Sequence, residues 1–264
     1  MDDIKQRTQA QFGATAANYV SSGTFSKGED LRRLLEVVQP QPDWRVLDVA
    51  TGGGHTAGLF APHVQRVIAT DLTEPMLIAA RTHLQNTLGD EGDKVDYART
   101  DAEQMPFPND AFDLVTCRLA AHHFPNVPVF LAECARVVRP GGMVAIVDML
   151  SPSDEKVANY INTIDVLRDP SHVWAYSLAE WKRFFAGAGL NMEHSEVGDN
   201  PQNLADWARR MGCDGPTTMR LRVMLTQAPD SVQAWWKIRL PIAGSGEEIQ
   251  FFIQQAVMVG RKTL

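Results

Sequence analysis

One stretch limits what this chain can fold into: Arg45-Val46-Leu47-Asp48-Val49-Ala50-Thr51-Gly52-Gly53-Gly54-His55-Thr56. Its apolar, β-branched beginning reads as a buried strand, which breaks into glycines just before the helix-compatible segment Thr56 to Ala61. Glycines at a strand-to-helix turn let backbone approach a ligand, because no Cβ stands in the way. A dinucleotide site has glycines at G-x-G-x-x-G spacing and a helix N-terminus aimed at a pyrophosphate. Here Ala50 takes the first glycine's place, and Asp48 sits inside the strand two residues earlier. A carboxylate there opposes a pyrophosphate and suits a ligand whose near end is cationic.

Further signals follow at regular intervals. Arg66 to Asp71 is a second short buried strand ending in an acid, 19 residues past Gly52. That spacing suits a carboxylate accepting both ribose hydroxyls; the alternative is an N-cap for the helix Glu74–Leu88. Leu72 and Met76 either flank an adenine or belong to the core. A third strand, Lys94 to Arg99, leads into Thr100-Asp101-Ala102-Glu103-Gln104-Met105-Pro106-Phe107-Pro108. Asp101 at the strand end can accept an adenine amine while the Ala102 N–H donates to a ring nitrogen. Ala111 to Arg118 reads as the fourth strand, Val127 to Val138 as a helix, and Arg139-Pro140-Gly141-Gly142 as a turn into a fifth strand, Met143 to Met149.

Segment 45–56 resembles motif I of the class I S-adenosylmethionine-dependent methyltransferases, in the Asp-x-Ala-Thr-Gly-Gly-Gly-His form of small-molecule enzymes of the quinone-methylating type. The later signals stand in register with that family, strongly over 43–150 and elsewhere by order of elements only. The resemblance implies an α/β fold: a doubly wound, Rossmann-like, seven-stranded mixed sheet, its last strand antiparallel, with helical lid insertions. It implies S-adenosylmethionine as cofactor, met by Asp48, Ala50, Thr51, Gly52, Gly54, Asp71, Leu72, Met76, Asp101, Ala102, Arg118 and Tyr19. The implied activity is methyl transfer to a small-molecule O, C or N nucleophile; a cyclase, isomerase or decarboxylase on the same scaffold is the alternative.

In open α/β sheets the ligand crevice lies at the carboxyl ends of the strands, so Leu119 to Asn126 faces the reacting centre. It contains His122 and His123, either of which can act near neutral pH as base or orienter, with His123 preferred. Adjacent histidines cannot share one helix face, and no cysteine or acid completes a zinc set nearby, so no metal is expected. His172 and Arg168, in the insertion Pro152 to Tyr176, are further candidates to meet a phenolic, quinol or carboxylate acceptor, against a plain Arg168–Asp169 surface pair. Asp148, at the far end of strand five, either touches substrate or has a solvent-facing or capping role.

The whole chain, 1–264, reads as a single domain. Residues 1–30, with Phe12 and Tyr19, form an N-terminal flap or merely an edge helix; 43–150 is the cofactor-binding core; 151–176 and 198–230 are substrate-lid insertions. Ser177 opens a capping-box helix through Ala188, a strand resumes at Leu190 to Val197, and Trp235–Leu240 with Glu248–Val259 forms a closing hairpin across Gly244-Ser245-Gly246. A net charge of −7 without a basic run disfavours nucleic acid. No apolar stretch reaches the ~20 residues of a membrane span. An acidic start unlike a secretory signal, and three unpaired cysteines, suggest a cytoplasmic protein, monomeric or homodimeric.

Overall fold

The computed structural model describes residues 3–20, 28–242 and 247–263, with the backbone alone for 14–20. The side chain of Tyr19 and the turn Gly244-Ser245-Gly246 therefore lie outside the described residues.

The strands are β1 (Arg45–Val49), β2 (Arg66–Asp71), β3 (Val95–Arg99), β4 (Phe112–Arg118), β5 (Val138–Met149), β6 (Leu190–Asn203) and β7 (Gln250–Lys262). They form one sheet in the order β3-β2-β1-β4-β5-β7-β6. The first five run parallel, and β7 is antiparallel to both β5 and β6. The doubly wound mixed sheet with an antiparallel last strand is thus as expected. Its helices are α1 (Asp3–Val20), α2 (Glu29–Val38), α3 (His55–Phe60), α4 (Glu74–Leu88), α5 (Val127–Val137), α6 (Glu155–Arg168), α7 (Leu178–Gly187), α8 (Leu204–Arg210), α9 (Gly215–Thr226) and α10 (Asp230–Trp236).

The alternation of a strand distributes successive side chains to opposite faces. Leu47, Val49, Val115, Cys117, Val144 and Ile146 face one core, closed by α5 and α7. Val46, Val67, Leu114, Ala145 and Val147 face the other, closed by α2, α3 and α4. A third core joins α6, α8, α9 and α10 over the first residues of β7, built around Trp207, Trp236 and Phe251. Buried on both faces, β1, β2, β4 and β5 carry the largely apolar runs that make them readable.

Three expectations are corrected. Trp235 and Trp236 end α10 instead of starting a hairpin strand, and among the described residues the expected hairpin is reduced to a bridge between Arg239 and Gln250. Trp236 is fully buried against Phe251, so tertiary packing outweighs the local alternation. Residues 198–203, assigned to an insertion, continue β6 along β7. The turn Arg139–Gly142 proves to be a bulge within β5: pairing steps from Phe112↔Val138 to Leu114↔Met143. Gly141 lies at φ 75°, and a Cβ on Gly142 would come within 2.8 Å of the Asp113 carbonyl. Ser177 does form a capping box with Glu180.

Candidate active site

The carboxyl ends of β1 to β4 open into one cleft, roofed by Lys5, Thr8 and Phe12 of α1. Its atom-free space, counting the open mouth, is ≈ 990 Å³.

The floor is the glycine turn. Ala50 lies at φ 53°, Gly52 at 52° and Gly54 at 83°. A left-handed alanine costs about 1–2 kcal/mol, the kind of strain that collects at functional sites. A Cβ at Gly52 would meet no atom within 4 Å, so the turn is open above it. At Gly54, which precedes α3, a Cβ would press on Ala80 and Leu84 at 3.2 Å. Gly54 is therefore a packing glycine, off the cleft wall.

Asp48 is not on the wall either. It is 1% exposed and accepts hydrogen bonds from Thr51 Oγ1 at 2.6 Å and Thr116 Oγ1 at 2.7 Å. Burial pushes its carboxyl up to about 6, against the pull of those two hydroxyls. Its geometric work is to tie the turn, through Thr51, to β4. The carboxylates that do reach the cleft stand at the next two strand ends. Asp71 accepts the N–H of Gly52 at 3.1 Å and of Thr73 at 2.8 Å, and burial raises it. Asp101, with Ala102 and Glu103 next to it in the chain, lines the same wall, as do Leu72 and Met76.

Two cleft features had no local sequence signal. Lys5 Nζ sits 2.7 Å from Asp101 Oδ2 and 2.6 Å from Glu103 Oε2, a contact across 96 residues of chain. Arg118, on the wall at the end of β4, is paired through Nε and Nη2 with Asp30 of α2.

Beyond β4 the chain turns through Leu119, at φ 52°, into the histidine pair. His122 and His123 have ring centroids 4.2 Å apart, and His172 lies 5.5 Å and 6.4 Å from them. The three imidazoles are held differently. His122 Nδ1 donates to Asp148 Oδ1 at 2.6 Å, and its backbone N–H donates to Oδ2 at 2.9 Å. Burial alone would lower this imidazole, but the Asp148 carboxylate overrides it and holds His122 above its ordinary value. His123 Nδ1 donates to the Ser171 carbonyl at 3.0 Å; burial and the neighbouring His122 push it down to about 4. His172 Nε2 donates to Asn162 Oδ1 at 2.8 Å, and burial pushes it down to about 2. Only His123 of the three lines the cleft, against the edge of Phe12. His122 keeps 13% of its side chain exposed, and His172 is buried under α6. Arg168 turns away: Nε donates to the Trp207 carbonyl and the guanidinium lies 4.5 Å over its ring. Among the described residues no three His, Cys, Asp or Glu side chains are grouped to hold a metal ion, and no helix is long and apolar enough to cross a membrane.

The profile of the methyltransferase domain family matches residues 47–146. The chain is 32% identical to an uncharacterised methyltransferase of Bacillus subtilis (strain 168), YcgJ, over 96% of this chain and 98% of that one. A crystal structure of the YcgJ protein matches with a TM-score of 0.83, covering 89% of this chain and 98% of the other. A Bacillus halodurans C-125 crystal structure matches with a TM-score of 0.84 at 34% identity, covering 90% of this chain and all of the other (100%). The ubiquinone/menaquinone biosynthesis C-methyltransferase UbiE of Cupriavidus taiwanensis is 38% identical over 144 residues, 52% of this chain and 58% of its own length.

Proposed function

The chain belongs to the class I S-adenosylmethionine-dependent methyltransferases, and on that premise we propose that it methylates the hydroxyl oxygen of a small phenol- or quinol-like acceptor, the proton being handled by His123 on the cleft wall together with the His122–Asp148 pair packed against it. The cleft chemistry fits the cofactor. Carboxylates stand at the ends of β2 and β3, open space lies over Gly52, and a guanidinium stands on the wall at the β4 end. In this reading Asp71 accepts the ribose hydroxyls, Asp101 and the Ala102 N–H meet the adenine, and Ala50, Thr51 and Gly52 form the backbone floor beneath the amino-acid end. Leu72 and Met76 flank the base, and Arg118 meets the carboxylate. Asp48 and Gly54 act from behind by fixing the turn.

When bound, the cofactor supplies a methyl activated on a sulfonium, so an O–CH₃ bond forms as the S–CH₃ bond breaks and the sulfur leaves as a neutral thioether. The protein's remaining tasks are alignment, exclusion of water and removal of the hydroxyl proton; alignment alone can contribute up to ~7–11 kcal/mol. The observation that carries the choice of acceptor is the His122–Asp148 pair. A carboxylate fixes the tautomer with Nδ1 protonated, leaving Nε2 as a base, and stabilises the imidazolium formed. An acceptor arriving without a proton would need no such pair. His123, depressed to about 4, is the poorer base and serves better as a neutral wall and hydrogen-bond acceptor. His172 and Asn162 support the cluster from beneath.

Within a single domain, residues 1–30 act as the flap, 43–150 hold the cofactor, and α6 with α8 and α9 cover the acceptor. The test is incubation with deuteriomethyl S-adenosylmethionine and a panel of phenols, quinols, carboxylates and amines, read by mass spectrometry. Labelled methyl ethers of phenols or quinols support the proposal. Labelled amines, or turnover of the panel without S-adenosylhomocysteine, would refute it.

A further inference from the structure

We propose that Asp30 of α2 is a positioning residue for the cofactor's amino-acid end, acting through Arg118; this deepens the methyltransferase reading and rests on it. The cleft is electrically polarised along its length. Its acids, Asp71, Asp101 and Glu103, cluster at the ends of β2 and β3, and Lys5 is committed to two of them. At the opposite end, where β4 stops, the cation on the wall is Arg118. A zwitterionic amino acid attached to a nucleoside carries a carboxylate at its far end, and a guanidinium matches that anion bidentately.

Arg118 and Asp30 are both 5% exposed in their side chains, so neither is a loose surface charge. Asp30 engages the Nε–Nη2 edge of the guanidinium from a helix 88 residues earlier in the chain. Pinning one edge of a planar fork fixes the plane in which the rest of it lies. The chain makes room for this contact: a Cβ on Gly28 would overlap Asp30 Oδ1 and lie 2.8 Å from Arg118 Nη2. Gly28 has φ −61°, which any residue adopts, so a Cβ there would act by displacing the two charged groups and not by straining the backbone. Nothing in the fold of the sheet needs this pair, since β4 is held by β1 and β5 through their own ladders. A buried ion pair is weak evidence of stabilisation and better evidence of positioning.

The test compares two ligands by calorimetry: S-adenosylhomocysteine and its decarboxylated analogue, which keeps the amine and lacks the carboxylate. In the Asp30→Asn variant S-adenosylhomocysteine binds at least about tenfold more weakly, while the analogue's affinity stays within about twofold. Gly28→Ala, which keeps both charges and displaces their contact, gives the same selective loss and keeps the proposal falsifiable should Asp30→Asn unfold. Equal loss for both ligands in the folded variants, or no loss for either, overturns the proposal while leaving the methyltransferase reading intact. Wild-type protein that binds neither ligand overturns both.

Discussion

His122 and Asp148 are joined twice, by Nδ1 to Oδ1 at 2.6 Å and by the backbone N–H to Oδ2 at 2.9 Å. The second bond fixes the backbone of the turn and the first fixes the ring, so the carboxylate sets both position and tautomer. Asp148 is 1% exposed and its Oδ1 also accepts the Met149 N–H, which leaves it little freedom to move.

Replacing Asp148 by Asn keeps the shape and removes the charge. Turnover with a phenolic acceptor should fall about 10²–10⁴-fold, the usual worth of a positioned base, with S-adenosylhomocysteine affinity unchanged. The pH profile supplies the sign. His122 works only when neutral and is held above its ordinary value by the carboxylate, so wild-type turnover rises with pH through a point above 6.5. Asp148→Asn should move that rising limb to lower pH. A limb that stays in place would show that the pair is only structural.

Asp71 tests the other end of the cleft. Hydrogen bonds to a charged acceptor are worth about 1.5–3 kcal/mol each, and two ribose hydroxyls are assigned to this carboxylate. Asp71→Asn should weaken S-adenosylhomocysteine binding on the order of a hundredfold, measured by calorimetry. The variant retains one oxygen for the Gly52 or Thr73 N–H, so its thermal unfolding should stay close to wild type. Affinity within about twofold of wild type would remove Asp71 from the cofactor contacts.

What could be read from the sequence follows from how local each signal is. β1, β2, β4 and β5 are legible because a strand buried on both faces must be apolar almost throughout. Asp48 shows the limit of such reading. Its place in the strand was evident, but whether a strand-end carboxylate faces ligand or interior depends on Thr116 of another strand. Trp235 and Trp236 alternate plausibly for a strand, yet a fully buried Trp236 stacked on Phe251 draws them into a helix. Lys5–Asp101 and Asp30–Arg118 are contacts across most of the cofactor core, and no period or motif announces them. His122 and His123 were visible as a pair; which one carries the carboxylate was decided by β5.

His172 allows the buried cluster to be read through stability. In the fold, burial with His122, His123 and Arg168 nearby pushes its imidazole down to about 2, whereas the unfolded chain titrates near 6.5. As pH falls below 6.5 the unfolded state takes up a proton that the fold refuses, so this contribution to stability is present above 6.5 and lost on acidification. The slope is about 1.4 kcal/mol per pH unit. His172→Gln lacks that group and should be destabilised at pH 7.5, by loss of packing and of the fixed bond to Asn162. Its deficit relative to wild type should shrink when urea unfolding is repeated at pH 6 and 5. A deficit independent of pH would mean that the fold takes up the His172 proton as readily as the unfolded chain does.

Lys5 addresses whether α1 competes with the cofactor or clamps it. Its ammonium bonds Asp101 Oδ2, an oxygen of the carboxylate assigned to the adenine amine. Burial works against the charge, but the Asp101 and Glu103 carboxylates hold Lys5 above its ordinary value, so it stays cationic at neutral pH. Partly exposed ion pairs contribute about 0.2–1 kcal/mol. Lys5→Gln should therefore tighten S-adenosylhomocysteine binding by about two- to fivefold, by freeing Asp101 for the base. The anchoring of α1 through Gln9 to the Leu72 carbonyl and through Phe12 to His123 remains. The gain should narrow in high salt, which screens the competing pair in the wild type. If the substitution weakens binding instead and accelerates ligand release in stopped-flow traces, Lys5 closes over the bound cofactor and the competition account fails.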